Sequence, residues 1–379
     1  MPYWRLSAFY LFYFAALGIL LPYWSLYLRS LGFDALAIGQ LMAVIMVTKL
    51  VAPNVWGWIA DHTGRRIAVI RLASLLSLLV FSAIFFVESF WAIAWVMALY
   101  SFFWNASLPQ FEVVTLNWLG RDIRRYGQIR LWGSVGFIGA VGGVGALLDA
   151  WSVSSVPGML LLVFAGILLS SLLITDGPDA SRHDAGHPPL VHVLRQPAVI
   201  AFLIACFLMQ AGHGVYYTFF SLYLTDAGYS KVETGAFWAL GVLAEVGLFL
   251  VMHRLMARFE ARRLVFASLL IAAARWLLIG WFPGSLVLVV VAQLLHAVTF
   301  GVFHAAAIHL VHGFFPGRLQ GRGQALYSSL SFGAGGALGS LAGGYLWDAV
   351  SPLAAFAAAS GVSLIAAAVV AVWLRPTRA

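Results

Sequence analysis

Long apolar runs alternate with short polar punctuation along the whole chain. The runs lie near 4–29, 36–60, 66–87, 91–118, 128–149 and 157–175, then near 198–224, 232–256, 263–282, 285–312, 321–347 and 352–374. Each has about 20 residues or more, enough to cross a hydrocarbon core of about 30 Å as a helix. In lipid the backbone has no water to bond, so such runs predict helices. None shows the alternation, over about ten residues, of a membrane barrel strand. The pattern therefore predicts an all-α polytopic membrane protein with twelve transmembrane helices. The first run contains Pro22 and no small-residue cleavage site, so it reads as structure and not as a secretory leader.

The runs form two sets of six. Between them lies DGPDASRHDAGHPPLVHVLRQP, residues 176–197, rich in Pro, Gly, His and Asp. The predicted organisation is a bundle at 1–175, a cytoplasmic linker at 176–197 and a second bundle at 198–379. His183, His187 and His192 in the linker lack compact ligand spacing, so a solvated segment is expected and not a metal site. The halves also repeat. SLYLRSLGFDALAIG (25–39) matches SLYLTDAGYSKVETG (221–235), and the same displacement carries Arg66 onto Arg262 and Gly127-Gln128 onto Gly323-Gln324. A shift of six spans keeps orientation, so the repeats are parallel, an arrangement that builds alternating-access transporters. Gly139 and Gly143, and Gly335, Gly339 and Gly343, are spaced four apart, which predicts grooves where helices approach closely.

Composition adds the solvent and the orientation. The chain is 62% hydrophobic and 9% charged, with a mean hydropathy of +0.93, outside the range of soluble domains. Most of the 22 Lys and Arg residues fall on one side of the predicted spans. That asymmetry makes both termini cytoplasmic and accounts for the net charge of +8 without a nucleic-acid partner. Cys206 is the single cysteine, so no intrachain disulfide is expected.

An ionisable side chain in mid-span costs about 3 kcal/mol on insertion scales, which makes each one a functional candidate with a partner to be found. Lys49 lies near the middle of the second run, Glu112 in the inner half of the fourth and Arg130 at the start of the fifth. The second half has His213, Glu245, Arg275 and His296, with Gln210 and Gln293 beside them. Glu245, Arg275 and His296 are expected to form a neutralised cluster in which protonating the acid frees the arginine and couples proton to substrate binding. A static ion pair holding helices in register is the alternative. Lys49, Arg130 and Arg275 suit an anionic cargo. Tyr216 and Tyr217 follow His213 and either line a pocket for an aromatic ligand or pack in the core. His304, His309 and His312 lie toward the inner end of the tenth run; without third and fourth ligands no metal site is expected. Tyr3-Trp4, Tyr23-Trp24 and Trp56/Trp58 are expected mostly to anchor span ends at the interface. No Gly-x-Ser-x-Gly, His-Glu-x-x-His or nucleotide-binding Gly-x-x-x-x-Gly-Lys pattern occurs, so neither an enzyme nor an ATP-driven pump is indicated.

The turn GWIADHTGRR (57–66) resembles the signature between helices two and three of the major facilitator superfamily, matching at Gly57, Asp61, Gly64, Arg65 and Arg66. The resemblance implies that fold over the whole chain, with these residues at the cytoplasmic gate; His62 stands where the family has a basic residue. Glu112, eighteen residues before Arg130 in GQIRLWGSVGF, resembles the sugar site of the lactose permease family. That likeness makes Arg130 the binding cation and Glu112 its partner when the site is empty. It places Phe137 where the family stacks a tryptophan on the sugar. Glu245, Arg275 and His296 resemble its coupling cluster, except that the carboxylate expected three residues after the histidine is Thr299 here.

RLWGSV (130–135), QAGHGVYY (210–217), LGVLAEV (240–246) and QLLHAVTF (293–300) resemble the phenylpropionate permease group more closely. That group commonly has aspartate where this chain has Glu112 and arginine where it has Lys49. The expected substrate site is Lys49, Glu112, Arg130, Phe137, Gln210, His213 and Tyr217, and the expected proton-coupling set is Glu245, Arg275 and His296. The resemblance implies a monomeric, cofactor-free symporter of the bacterial inner membrane that moves a small organic solute with protons. An aromatic or other monocarboxylate such as phenylpropionate is the leading cargo. A sugar or nucleoside symporter, a drug–proton antiporter and, from another class, a non-transporting membrane receptor are the alternatives.

Overall fold

Twelve long helices account for the apolar runs. The computed structural model describes residues 2–120, 122–177 and 190–374; Arg121, His183 and His187 lie outside them. The helices are α1 (Tyr3–Ser30), α2 (Ala35–Thr63), α3 (Arg66–Ser82), α4 (Phe90–Leu119), α5 (Tyr126–Ala150), α6 (Val156–Leu172), α7 (Pro197–Asp226), α8 (Lys231–Arg258), α9 (Ala261–Trp281), α10 (Leu286–Phe314), α11 (residues 320–349) and α12 (Pro352–Trp373). A short helix, Leu190–Leu194, carries His192. Among the described residues there is no strand. Eleven of the helices are long and apolar enough to cross a membrane. The other, α11, is rich in glycine, which lowers its hydropathy without interrupting the helix.

Packing divides the chain into two units. One is Met1–Phe33 with Val44–Asp184 and Ser230–Ala236; the other is Asp34–Ala43 with Ala185–Tyr229 and Phe237–Ala379. In the first, α1 packs on α5 and α6, and α3 packs on α4 and α6. In the second, α7 packs on α11 and α12, and α9 on α10 and α12.

The sequence repeat appears as repeated backbone chemistry. Gly32 ends α1 at φ 88° and Gly228 ends α7 at φ 93°, a left-handed conformation that glycine adopts without penalty. Behind each, the amide of the next residue reaches back to a helical carbonyl: Phe33 to Leu28 at 3.4 Å and Tyr229 to Leu224 at 3.0 Å. The following glycine pair matches too. In one unit a Cβ on Gly235 would lie 2.5 Å from the Val141 carbonyl oxygen, and one on Gly145 would lie 2.6 Å from that of Lys231. In the other, Gly39 faces the Ser340 carbonyl, and a Cβ on Gly344 would lie 2.5 Å from that of Ala35.

Two expectations change. Gly335 and Gly339 do pack tightly, against the carbonyls of Phe207 and Ala211 on α7. Gly139 and Gly143 on α5, by contrast, have no neighbouring atom within 4 Å of a built Cβ; the close approach of α5 to α1 uses Gly133 and Gly136 instead. Spacing of four marks a stripe on a helix, but α5 has two glycine stripes and only one meets α1. The aromatic residues also divide. Trp4 and Trp58 are 69% and 62% exposed, as an interfacial anchor requires, whereas Tyr23, Trp24 and Trp56 are buried. The Tyr23 hydroxyl finds its partner inside the protein, the Val141 carbonyl at 2.6 Å.

Candidate functional site

The turn between α2 and α3 is closed by charge. Gly64 adopts φ 66° so that α3 can begin two residues later. Arg66 then forms an ion pair with Asp61 and donates to Gln110 Oε1 on α4. Gly57 on α2 faces Gln110, whose nitrogen would be in ordinary contact, 3.4 Å, with a Cβ there. Arg65 points to solvent and is exposed. Two further contacts were not legible in the signature. Asp176 accepts the Ile67 amide at 3.1 Å at the start of α3, and Arg71 donates to the Ser171, Leu172 and Ile174 carbonyls that end α6.

In the first unit Glu112 and Arg130 lie on neighbouring helices, but no ion pair joins them among the described residues. Each has an aromatic partner in direct contact, while the Arg130 charge still acts on Glu112. The Tyr126 hydroxyl donates to Glu112 Oε1 at 3.3 Å. Arg130 lies over the Phe14 ring, its Cζ 3.8 Å from the centroid, with Tyr10 at 5.7 Å. Gly133 makes this possible: a Cβ would come within 2.6 Å of Arg130 Nη1 and 2.8 Å of the Phe14 ring. A guanidinium over an aromatic face gains about 0.5–2 kcal/mol according to its desolvation, and its planar fork remains available for an anion. Tyr13 stacks on Trp104 and Phe9 on Phe111, so the floor of this cluster is aromatic.

Phe137 is buried on α5, where its carbonyl meets Gly18 of α1. Lys49 is half-buried on α2. Its neighbour Thr48 bonds Ser101 and Asn105 of α4, each at 2.9 Å. Asn105 lies two helical turns from Glu112, which places Lys49 at a different level from the Glu112–Arg130 cluster.

In the second unit the expected cluster forms with changed partners. His296 Nε2 is 3.8 Å from Glu245 Oε2. Arg275 is fully buried, its Cζ over the rings of both Tyr216 and Trp276, at 4.3 and 4.6 Å from their centroids. Its Nε donates to the Ala292 carbonyl at 2.7 Å and its Nη1 to Thr299 Oγ1 at 3.3 Å. Thr299 therefore partners the arginine at the position where a carboxylate was expected. Residue types alone could not show that Arg275 turns to a hydroxyl and a carbonyl.

His213 is fully buried; its Nδ1 is 3.0 Å from the Met209 carbonyl and its ring meets the Trp276 edge. That bond makes Nδ1 the protonated nitrogen of the neutral ring and leaves Nε2 as an acceptor. Tyr217 stacks on Trp238. Gln210 packs against Gly335 of α11. Tyr216, whose hydroxyl donates to Gln293 Oε1 at 2.8 Å, joins the aromatic wall around Arg275.

Comparison with known proteins agrees with this architecture. The model of the MFS_1 like family matches residues 3–358. The chain is 30% identical over 354 residues, 89% of each sequence, to a probable 3-phenylpropionic acid transporter of Escherichia coli (strain K12). It is 27% identical over 357 residues to a maltose permease of Geobacillus stearothermophilus, covering 91% of this chain and 88% of that one. Among solved structures it shares the fold of the nucleoside transporter NupG, with a TM-score of 0.84 at 16% identity over 99% of this chain and all of that one. Matched along nearly its whole length in sequence and in helix arrangement, the chain belongs to the MFS_1 like family and is a major facilitator superfamily transporter.

Proposed function

We propose that this transporter is a proton-coupled symporter of a small organic anion, with an aromatic or other monocarboxylate as cargo. The observation that carries the reading is the Glu245–His296 pair at 3.8 Å in mid-helix. There two titratable groups share an environment in which an unpaired charge costs about 3 kcal/mol. Proton binding to that pair changes its charge, and a change of charge is what a transport cycle needs to link proton and solute. Arg130, stacked on Phe14 beside an aromatic floor, supplies a planar cation and apolar faces to one end of an aromatic carboxylate. Lys49 adds a second cation in the same unit. The relative named as a probable 3-phenylpropionic acid transporter supports this cargo. The relative named as a maltose permease supports a sugar as the second reading. The charge asymmetry supports an orientation with both termini cytoplasmic.

Proteoliposomes offered labelled 3-phenylpropionate, benzoate, maltose and uridine under an imposed pH gradient test the reading. The expected result is accumulation of an aromatic carboxylate that collapses when the gradient is dissipated. Accumulation indifferent to the gradient would reject coupling, and uptake of maltose alone would reject the anion. In the same assay Glu245→Gln should lose uphill accumulation while retaining solute exchange. Normal accumulation by that variant would make Glu245 structural.

A further inference from the structure

α10 carries a ring ladder of which the coupling pair uses only His296. His296, Phe300 and His304 stack in succession, with centroids 5.4 and 5.9 Å apart and ring planes 9° and 4° from parallel. A regular α-helix does not hold such a stack over eight residues, because its side chains drift by about 80° over that length. The π turn at Ala297–Val302 takes up one extra residue, which cancels most of the drift and returns His304 to the face of His296. At one end of the ladder stands Glu245 from α8, with Arg275 from α9 and His213 from α7 around His296. At the other, His304 Nδ1 lies 2.9 Å from the Tyr327 hydroxyl of α11. Tyr327 lies in the same buried cluster as Cys206 of α7, and Tyr217 of that helix is within electrostatic range. His304 is only partly buried, whereas His213 is fully so.

We propose that His304, with Tyr327, is a second proton-carrying station on α10. It takes the proton released by the Glu245–His296 pair and passes it toward the Phe314 end of the helix. The proposal rests on the coupling reading above and answers a question Thr299 raises: which group carries the proton once the expected carboxylate is a hydroxyl. The two imidazoles are separated by no more than the two ring spacings, with the Phe300 ring between them, so the step requires solvent to carry the proton past that ring. The proton adds to a His304 ring nitrogen. In the neutral ring one nitrogen accepts; once protonated, both donate, so the contact to Tyr327 becomes one in which the ring donates to the hydroxyl oxygen. Loss of the proton restores the neutral ring, and no other bond changes.

Two measurements on the full chain test this. In the first, purified protein is treated with diethylpyrocarbonate, which acylates neutral, solvent-reached imidazole, from about pH 5 to about pH 8, and each site is read by mass spectrometry. The expected result is acylation at His304 that rises with pH beyond the reagent's own trend, displaced along the pH axis in Tyr327→Phe, with His213 unlabelled. A His304 that stays unlabelled, or follows the reagent's trend alone, overturns the proposal whatever the cargo. In the second, His304→Gln is compared with the unaltered protein for gradient-driven accumulation of 3-phenylpropionate and for exchange without a gradient. The expected result is a loss of at least about tenfold in accumulation with exchange retained. Accumulation equal to that of the unaltered protein overturns the proposal. If the unaltered protein itself ignores the gradient, the coupling reading falls and takes this role with it. If it responds and His304→Gln responds equally, only the role of His304 falls.

Discussion

A single arginine shows how much a side chain's surroundings decide. Arg130 and Arg275 are both cations on apolar helices, yet one is half-buried over Phe14 and the other wholly enclosed against the rings of Tyr216 and Trp276. Arg275 spends its Nε and Nη1 on a carbonyl and a hydroxyl of α10, so it ties α9 to α10. Arg130 has a ring beneath it and, among the described residues, no hydrogen bond or ion pair on its guanidinium, which leaves its donors available. Replacing Arg130 with Lys keeps the charge but removes the plane that stacks and the fork that grips a carboxylate. The expected outcome is about tenfold weaker binding of the transported anion, worth about 1.4 kcal/mol, read by equilibrium binding in detergent. Unchanged affinity would remove Arg130 from the site.

Individual helices carry information of a different kind. α10 and α11 each contain a π turn, at Ala297–Val302 and Ser329–Gly335, and the side chains around His304 are set by them: Phe300 within the first, Phe332 within the second, Tyr327 just before it. Glycine placement is just as selective. A Cβ at Gly339 would run into the Ala211 carbonyl, whereas one at Gly139 meets nothing within 4 Å. Gly339→Ala should therefore destabilise the protein by about 1–3 kcal/mol through forced separation of α7 and α11. Gly139→Ala should be neutral or slightly stabilising, since alanine is the better helix former. Thermal unfolding of the two variants in detergent distinguishes them; equal behaviour would show that α11 has room to shift.

On the scale of the whole molecule, α2 and α8 each begin in one packing unit and continue in the other. Their first amides are held by carboxylates at helix ends. Asp149 on α5 accepts the Lys231 and Val232 amides at 2.9 and 3.0 Å, and Asp348 on α11 accepts the Leu36 amide at 2.7 Å. A carboxylate there both satisfies orphan donors and complements the positive helix end. Asp149→Ala should cost about 1–2 kcal/mol, seen as a lower unfolding temperature. Asp149→Asn, which keeps one acceptor oxygen, should recover part of the loss. No change in Asp149→Ala would mean that the Ser230–Glu233 reciprocal bonds at the start of α8 suffice alone.

Hydropathy by itself determined the solvent, the twelve helices and their lengths, because a backbone in lipid has few alternatives and each helical residue advances 1.5 Å. The internal repeat aligned Gly32 with Gly228, and the structure shows both in the same turn, in a conformation glycine enters freely. The charged turn after α2 was legible because its residues are close in sequence. Tertiary structure alone decided the rest. It chose Gly133 and Gly136 over Gly139 and Gly143, turned Tyr23 and Trp24 inward, gave Glu112 to Tyr126, and gave Arg275 to Thr299. A helix that is apolar all round carries no stripe to say which face meets a neighbour. The rotation of each helix about its own axis, and with it the partner of every buried polar group, follows only when the helices pack.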